Sequence, residues 1–598
     1  MAQKILAGRC ADPLLAGDMV QVKVDQIVLT RDPLRAVAEA RDAGLKKTSA
    51  EVAIVYDTHC VSSPGSVPKA EERHAALEGV LGSGIVVARP GVGFAAPVHL
   101  ERFASPARLC VTDDPRMAGV GGIGMLTMVV APGLLAQALA QGSIWLRPPR
   151  SVQVLLSGRT RPFVCARDVA LELIRRGLGE AVGRIEAEHQ APVVIEFAGP
   201  SARLLSVGER AVLAGLAPQL GAVGALFVSD ERTEVFLRDQ RRSKAHRALV
   251  PDAGAPCDEV LNVDLGAVDP LFMDETGAVR SVRDLAGKPV TQVVLGGDSG
   301  ATLRDMFAAA ALLKSKRVPA RVEFLVAVPS RQMLEVLSAS GALTDLLATG
   351  ARLVEPDARV MTGELYPSTG GGISARTHDL EPGALAPRPV AIASAETLAY
   401  AVANGEMGDP RSFKRPVRVT IPRVLPTDDV LVVRDRKGVG DGKKAGALTI
   451  PASTPWKAAV TLDLVDGPAK LASVAAGASV AVLCANLDDV REIVTLAPTV
   501  SGTVRAVIAP FVPSASVAVL SALGIAALRA DAAAHKGLKG QKSVALPAPA
   551  QWPEREALQV AAGAQKVALT WLARAAERGW ASIGSARPVA APPSRARG

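Results

Sequence analysis

Short runs of β-branched and aliphatic residues alternate with Ala- and Leu-rich stretches along most of the chain. Glu51–Tyr56 (EVAIVY) reads as a strand and Glu71–Leu81 as a helix. Gln292–Leu295 is a strand leading into a helix over Thr302–Leu313, and Arg321–Val328 is a strand leading into a helix over Ser330–Ser338. This alternation predicts an α/β fold with mostly parallel sheets. A Pro-rich polar stretch, Pro410–Pro426, sets off a C-terminal segment with its own strand–helix pattern. The Ala/Pro/Arg-rich end, Ala586–Gly598, is expected to be disordered. There is no internal repeat.

Composition narrows this picture. A chain of 598 residues is too long for one core and should divide into roughly three to five domains. With 49% hydrophobic and 21% charged residues it has a globular composition, and with only 3% aromatics its cores must rest on Ala, Val and Leu. The longest apolar stretch, Leu126–Ala140, is broken by Pro132, Gly133 and Gln137 and is too short to span a bilayer. The first residues lack a signal-peptide layout, so a cytoplasmic protein without a membrane partner is expected.

The formal charge of +9 permits an acidic partner, including nucleic acid. Basic residues concentrate in Arg238–Arg247, in Arg434–Lys444 and around Lys536, Lys539 and Lys542, and these read as solvated faces. Six widely scattered cysteines without a CxxC suggest neither a zinc site nor a disulfide framework. No metal site is expected.

Two short motifs are set aside. Gly119–Gly124 fits GxGxxG, but no acidic residue follows about twenty positions on to hold a ribose. Gly297-Asp298-Ser299-Gly300 looks like a protease nucleophile loop, yet it lies between a strand and a helix, where Asp298 or Ser299 is expected to cap that helix.

Several blocks together carry a family resemblance. Arg89-Pro90-Gly91-Val92-Gly93, Val98-His99-Leu100-Glu101-Arg102-Phe103 and Gly121-Gly122-Ile123-Gly124 resemble successive blocks of bacterial aconitases and isopropylmalate dehydratases. Ile195–Pro200, Pro329-Ser330-Arg331, Gly341-Ala342-Leu343 and Ile392–Thr397 continue the likeness, and Val504–Ala509 with Leu523-Gly524-Ile525 resemble the family's swivel domain. The resemblance implies three aconitase-like α/β domains around a central cleft plus a C-terminal swivel-like domain. The expected boundaries are 1–200, 201–288 and 289–412, a linker over 413–428, the swivel-like domain over 429–585 and a tail over 586–598.

In that family three Cys thiolates hold a [4Fe–4S] cluster whose open iron acts as a Lewis acid on the substrate hydroxyl. At the positions that resemble those ligands this chain has Asp298, Ala358 and Met361, so the resemblance implies that the cluster is absent. Pocket histidines and the serine base are missing from the matching blocks as well. The candidate polar groups that survive are Asp57, His59, Asp113, Asp114, Arg376 and Arg491, the last in the block resembling the serine-bearing element. Each lost arginine removes a bidentate partner for a substrate carboxylate. The expectation is a non-hydratase member acting through a partner protein or a small carboxylate ligand. A cluster-free hydro-lyase or isomerase of hydroxy-carboxylates is the second reading, and RNA binding in the opened cleft the third.

Overall fold

The computed structural model describes residues 1–573 apart from 58–78, 379–388, 435–457 and a scatter of shorter gaps. Predicted elements recur with shifts of a residue or two at their ends: a strand at Val52–Tyr56, and helices at Leu303–Leu313 and Arg331–Ala339. Most of the helix expected over Glu71–Leu81 lies outside the described residues, as does the tail after residue 573.

The first sheet holds five parallel strands, β1 (Gln26–Leu29), β2 (Val52–Tyr56), β3 (Val86–Ala88), β4 (Leu109–Thr112) and β5 (Leu126–Val129), ordered β3-β2-β1-β4-β5. The second is parallel too: β6 (Arg150–Ser157), β7 (Val193–Ala198), β8 (Gly224–Phe227) and β9 (Glu259–Asp264), ordered β8-β7-β6-β9. Helix α1 (Ala166–Arg175) follows β6 and α2 (Val207–Ala214) follows β7. The third sheet has seven strands: β10 (Leu271–Met273), β11 (Val279–Ser281), β12 (Val290–Gly296), β13 (Glu323–Ala327), β14 (Arg352–Val354), β15 (Ile373–Arg376) and β16 (Val390–Ala393). Its parallel core runs β16-β15-β12-β13-β14, with α3 (Leu303–Leu313) after β12 and α4 (Ala395–Asn404) after β16. All six residues of β7 are buried, as expected of a parallel strand covered on both faces.

These pairings move the expected boundaries. β6 and β7, placed by the sequence in a 1–200 unit, hydrogen-bond to β8 and β9 instead of to the first sheet. β10 and β11, expected within 201–288, join the third sheet because β10 pairs antiparallel with β16. The short strand Val432–Val433, expected in the 429–585 unit, adds to the edge of the first sheet beside β3. Its neighbour Asp429 is held there by Arg102 at 2.7 Å, and the Leu431 carbonyl accepts from the Arg89 amide. The C-terminal strands, from Val460–Asp466 to Gln565–Trp571, close into a seven-stranded barrel with its own core.

The GxGxxG match has a packing explanation. Pro115–Ile123 is a 3-10 helix laid against α2 and β8, and a Cβ at Gly121 would run into the Ala225 carbonyl. Glycines here serve close backbone approach.

Candidate functional site

In parallel sheets, ligand-handling residues collect where strands end at their carboxyl edge. Here the carboxyl edges of the first and third sheets meet. Arg31 follows β1, Asp57 follows β2, and Asp113 and Asp114 follow β4. On the other side Asp298 follows β12, Arg376 ends β15 and His378 comes two residues later.

The acidic pair of the first sheet is bound tightly. Asp113 accepts from the Thr30 amide at 3.0 Å and the Arg31 amide at 3.1 Å. Asp114 accepts from the Thr30 hydroxyl at 3.1 Å, from the Arg116 amide at 2.9 Å and from Arg116 Nε at 3.2 Å. Asp114 is the N-cap of the 3-10 helix, which explains its Arg116 amide bond. Arg31 Nη2 stands 3.5 Å from Asp114 Oδ1. Both aspartates are 2% exposed, so their charge is met by protein donors and not by water.

Arg116 links the two sheet edges. Its guanidinium forms an ion pair with Asp298, at the position that resembles the first cluster-ligand site. The expectation that Asp298 or Ser299 caps α3 is corrected: Thr302 is the cap and forms a capping box with Asp305, because Asp298 is turned toward Arg116. Met361 is buried with Phe94, Val294, Leu325 and Val354 in one apolar cluster. Gly297 has φ +99°, and a Cβ added there would lie 2.7 Å from Met361 Sδ and 2.9 Å from His378 Cβ.

Arg376 is 2% exposed and its hydrogen bonds go to neutral groups: Nε to Ser374 Oγ at 3.0 Å, Nη2 to Gln292 Oε1 at 2.9 Å and Nη1 to the Val360 carbonyl at 3.4 Å. Burial lowers its guanidinium to about 10. Burial, then the charges of Arg376, Arg167 and Arg116, hold His378 well below the usual imidazole range, so its ring stays neutral. Sequence reasoning missed Arg31, Arg116 as an ion-pair partner, Arg167 and His378. His378, two residues beyond a strand-end arginine, was the one with a local signal.

Of the predicted candidates, the structure brings Asp57, Asp113, Asp114, Asp298, Met361 and Arg376 to these facing edges. His59 and Ala358 lie outside the described residues. Arg491 sits in the helix Leu487–Val500 of the C-terminal barrel, and its side chain is not among those described.

The donor set does not fit a [4Fe–4S] cluster. At the three positions that resemble the family's ligand sites it offers the ion-paired Asp298 carboxylate, Ala358 and the Met361 thioether packed in an apolar cluster, where the cluster needs thiolates. The described cysteines, Cys10, Cys110, Cys165, Cys257 and Cys484, stand at none of them.

The basic run Arg238–Arg247 is partly consumed inside the fold. Arg242 donates to the Leu100, Glu101 and Ala104 carbonyls, closing the end of the helix Ala95–Arg102. Most of the second run, 435–444, lies outside the described residues. Among the described residues no helix is long and apolar enough to cross a membrane.

Comparison with known proteins places much of the chain among aconitase-like sequences. The aconitase family (aconitate hydratase) matches residues 34–277. A 3-isopropylmalate dehydratase large subunit 1 from Deinococcus radiodurans is 32% identical over 362 residues, covering 60% of this chain and 80% of that protein. The homoaconitase large subunit of Thermus thermophilus is 31% identical over 366 residues, 60% of this chain and 83% of that protein. A 3-isopropylmalate dehydratase large subunit 2 from Archaeoglobus fulgidus is 27% identical over 421 residues, 69% of this chain and 99% of that protein.

Proposed function

This chain belongs to the aconitase family, and on that premise we propose that it works without an iron–sulfur cluster, as a ligand- or partner-binding protein and not as a hydratase. The observation that carries the reading is the Arg116–Asp298 ion pair. It fills with an internal charge pair the place where the family chemistry calls for a thiolate on iron.

The ligand this geometry favours is a small carboxylate. Arg376 is a buried cation whose hydrogen-bond partners are all neutral, with the Glu323 carboxylate acting on it only through space, so an anion beside it would gain charge-assisted hydrogen bonds. Asp113 and Asp114 hold Thr30, Arg31 and Arg116 in place on the opposite edge and do not face the ligand as bases. Neutral His378 can donate one hydrogen bond or accept one.

The relatives' names speak for the second reading, a hydro-lyase, since two of the three are dehydratases. For this chain that activity would need a new acid–base group, and His378, 3.5 Å from Arg376 Nη1 and packed beside Gly297 and Met361, is the candidate. The relatives are also named as large subunits, and 69% of this chain spans 99% of one of them. The barrel over Val460–Trp571 would then supply a swivel-like domain within the same polypeptide.

Anaerobic incubation with iron and sulfide tests the main reading. The protein should stay colourless, retain no stoichiometric iron after desalting and leave aconitate and isopropylmalate unchanged. A brown protein with about four irons that hydrates aconitate would overturn it.

A further inference from the structure

Cys165, Asp305 and Glu396, far apart in sequence, each place one ligand atom within 4.8 Å of the others, and all three are buried. Each stands at the start of a helix. Cys165 immediately precedes α1, Asp305 lies in the first turn of α3 and Glu396 in the first turn of α4. Helix N-termini favour anions, and a metal requires its ligands as thiolate and carboxylates.

Local hydrogen bonds do not exhaust these groups. Asp305 Oδ2 accepts from the Thr302 amide and hydroxyl, both at 2.8 Å. Arg304 Nη1 bridges Asp305 Oδ1 at 3.1 Å and Glu396 Oε1 at 2.9 Å. The other oxygen, Glu396 Oε2, is buried, and no donor among the described residues reaches it. Glu396 and Arg304 line a cavity of about 290 Å³ bounded by Phe163 and Val417. One guanidinium therefore serves three groups that carry negative charge when ionised, and one carboxylate oxygen is left over.

We propose that Cys165, Asp305 and Glu396 form a site for a divalent transition-metal ion of the zinc class, with its fourth coordination position facing this cavity. One sulfur and two carboxylate oxygens make a three-ligand set with an open place, the arrangement of zinc sites that bind a water or substrate. The sulfur selects zinc, cobalt or iron over magnesium and calcium. Ligand atoms around one tetrahedral zinc stand about 3.3–3.8 Å apart, so from separations within 4.8 Å binding needs the three to close by at most about 1.5 Å through side-chain rotation. Arg304 keeps Glu396 Oε1 and orients that carboxylate toward the ion.

The test uses the full chain, reduced and stripped by a chelator. It is titrated with Zn²⁺ against a chromophoric indicator and separately with Co²⁺ followed by absorption. One equivalent should bind, and Co²⁺ should give the near-ultraviolet charge-transfer band of a cobalt–thiolate bond. Cys165→Ser, which retains a capping oxygen, should abolish the band, whereas Cys257→Ser should keep it. Outer-sphere changes alone weaken metal sites by about 10–100-fold, so Glu396→Gln should weaken Zn²⁺ at least tenfold. Circular dichroism establishes that each variant is folded, and the isosteric Glu396→Gln decides the matter if Cys165→Ser is not. Absence of stoichiometric binding overturns the proposal, as does binding that both folded variants retain unchanged.

Discussion

Replacing Arg116 by Met removes the charge that joins the first and third sheets while keeping most of the side chain's volume. Both partners are buried, Arg116 at 10% and Asp298 at 6% side-chain exposure. Removing one member of a buried ion pair costs about 3–5 kcal/mol, because the other charge is left in a low-dielectric site. Asp114 keeps Arg31 and the Thr30 hydroxyl, so the lower end applies and about 3 kcal/mol is expected. Asp298→Asn is milder: Arg116 keeps Asp114 at 3.2 Å, and the loss should be about 1–2 kcal/mol. In the double variant the pair is removed as a unit. Its cost should fall roughly 2 kcal/mol below the sum of the single effects. Thermal unfolding of the full chain by circular dichroism measures this, using the first transition because several cores need not melt together. At roughly 2–4 °C per kcal/mol for a unit of 150–250 residues, Arg116→Met should lower that transition by about 6–12 °C. A shift under about 1 °C, or strict additivity in the cycle, would refute the claim that this pair joins the two sheet edges.

Other outcomes follow from neighbouring groups. Glu101 accepts from Ser330 Oγ at 2.7 Å and is raised by burial to about 8. Its folded value lies above its unfolded one, so its contribution is full below about pH 4.5 and is lost as pH rises toward 8. Glu101→Gln should flatten that alkaline decline in urea midpoints, and an unchanged slope between pH 5 and 8 would count against it. His99 works in the opposite sense. It bonds Tyr56 and Gln26 as a neutral ring and is depressed by burial to about 3. Its contribution is full above the unfolded value near 6.5 and is lost as pH falls toward 3, so His99→Gln should reduce the acid sensitivity of the first transition. Gly297→Ala places a methyl 2.7 Å from Met361 Sδ at φ +99° and should cost about 2–3 kcal/mol. Adding Met361→Ala should relieve only the steric part, and full recovery would show that backbone strain is not involved.

Much of the architecture was readable along the chain. Strands such as Val52–Tyr56 and Val290–Gly296 are short β-branched runs, and helices such as Leu303–Leu313 follow a Thr-x-x-Asp start. These are local signals, because burial on one element follows the spacing of its own residues. That residues 298, 358 and 361 are Asp, Ala and Met was equally legible, since residue type is read straight off the chain.

Domain boundaries were not readable, because strand pairing is a long-range choice: nothing in the sequence around Val193–Ala198 says that its neighbours are β6 and β8. The same physics hid the sites. Arg116 and Asp298 are 182 residues apart in the chain, and Cys165, Asp305 and Glu396 start three different helices. Scattered cysteines without a CxxC suggested no zinc site, and spacing of that kind speaks only to ligands supplied by one local segment. The sequence by itself determined which residue types were available and which local elements formed. The tertiary structure decided which of them meet, because parallel sheets bring distant strand ends and helix starts to common edges.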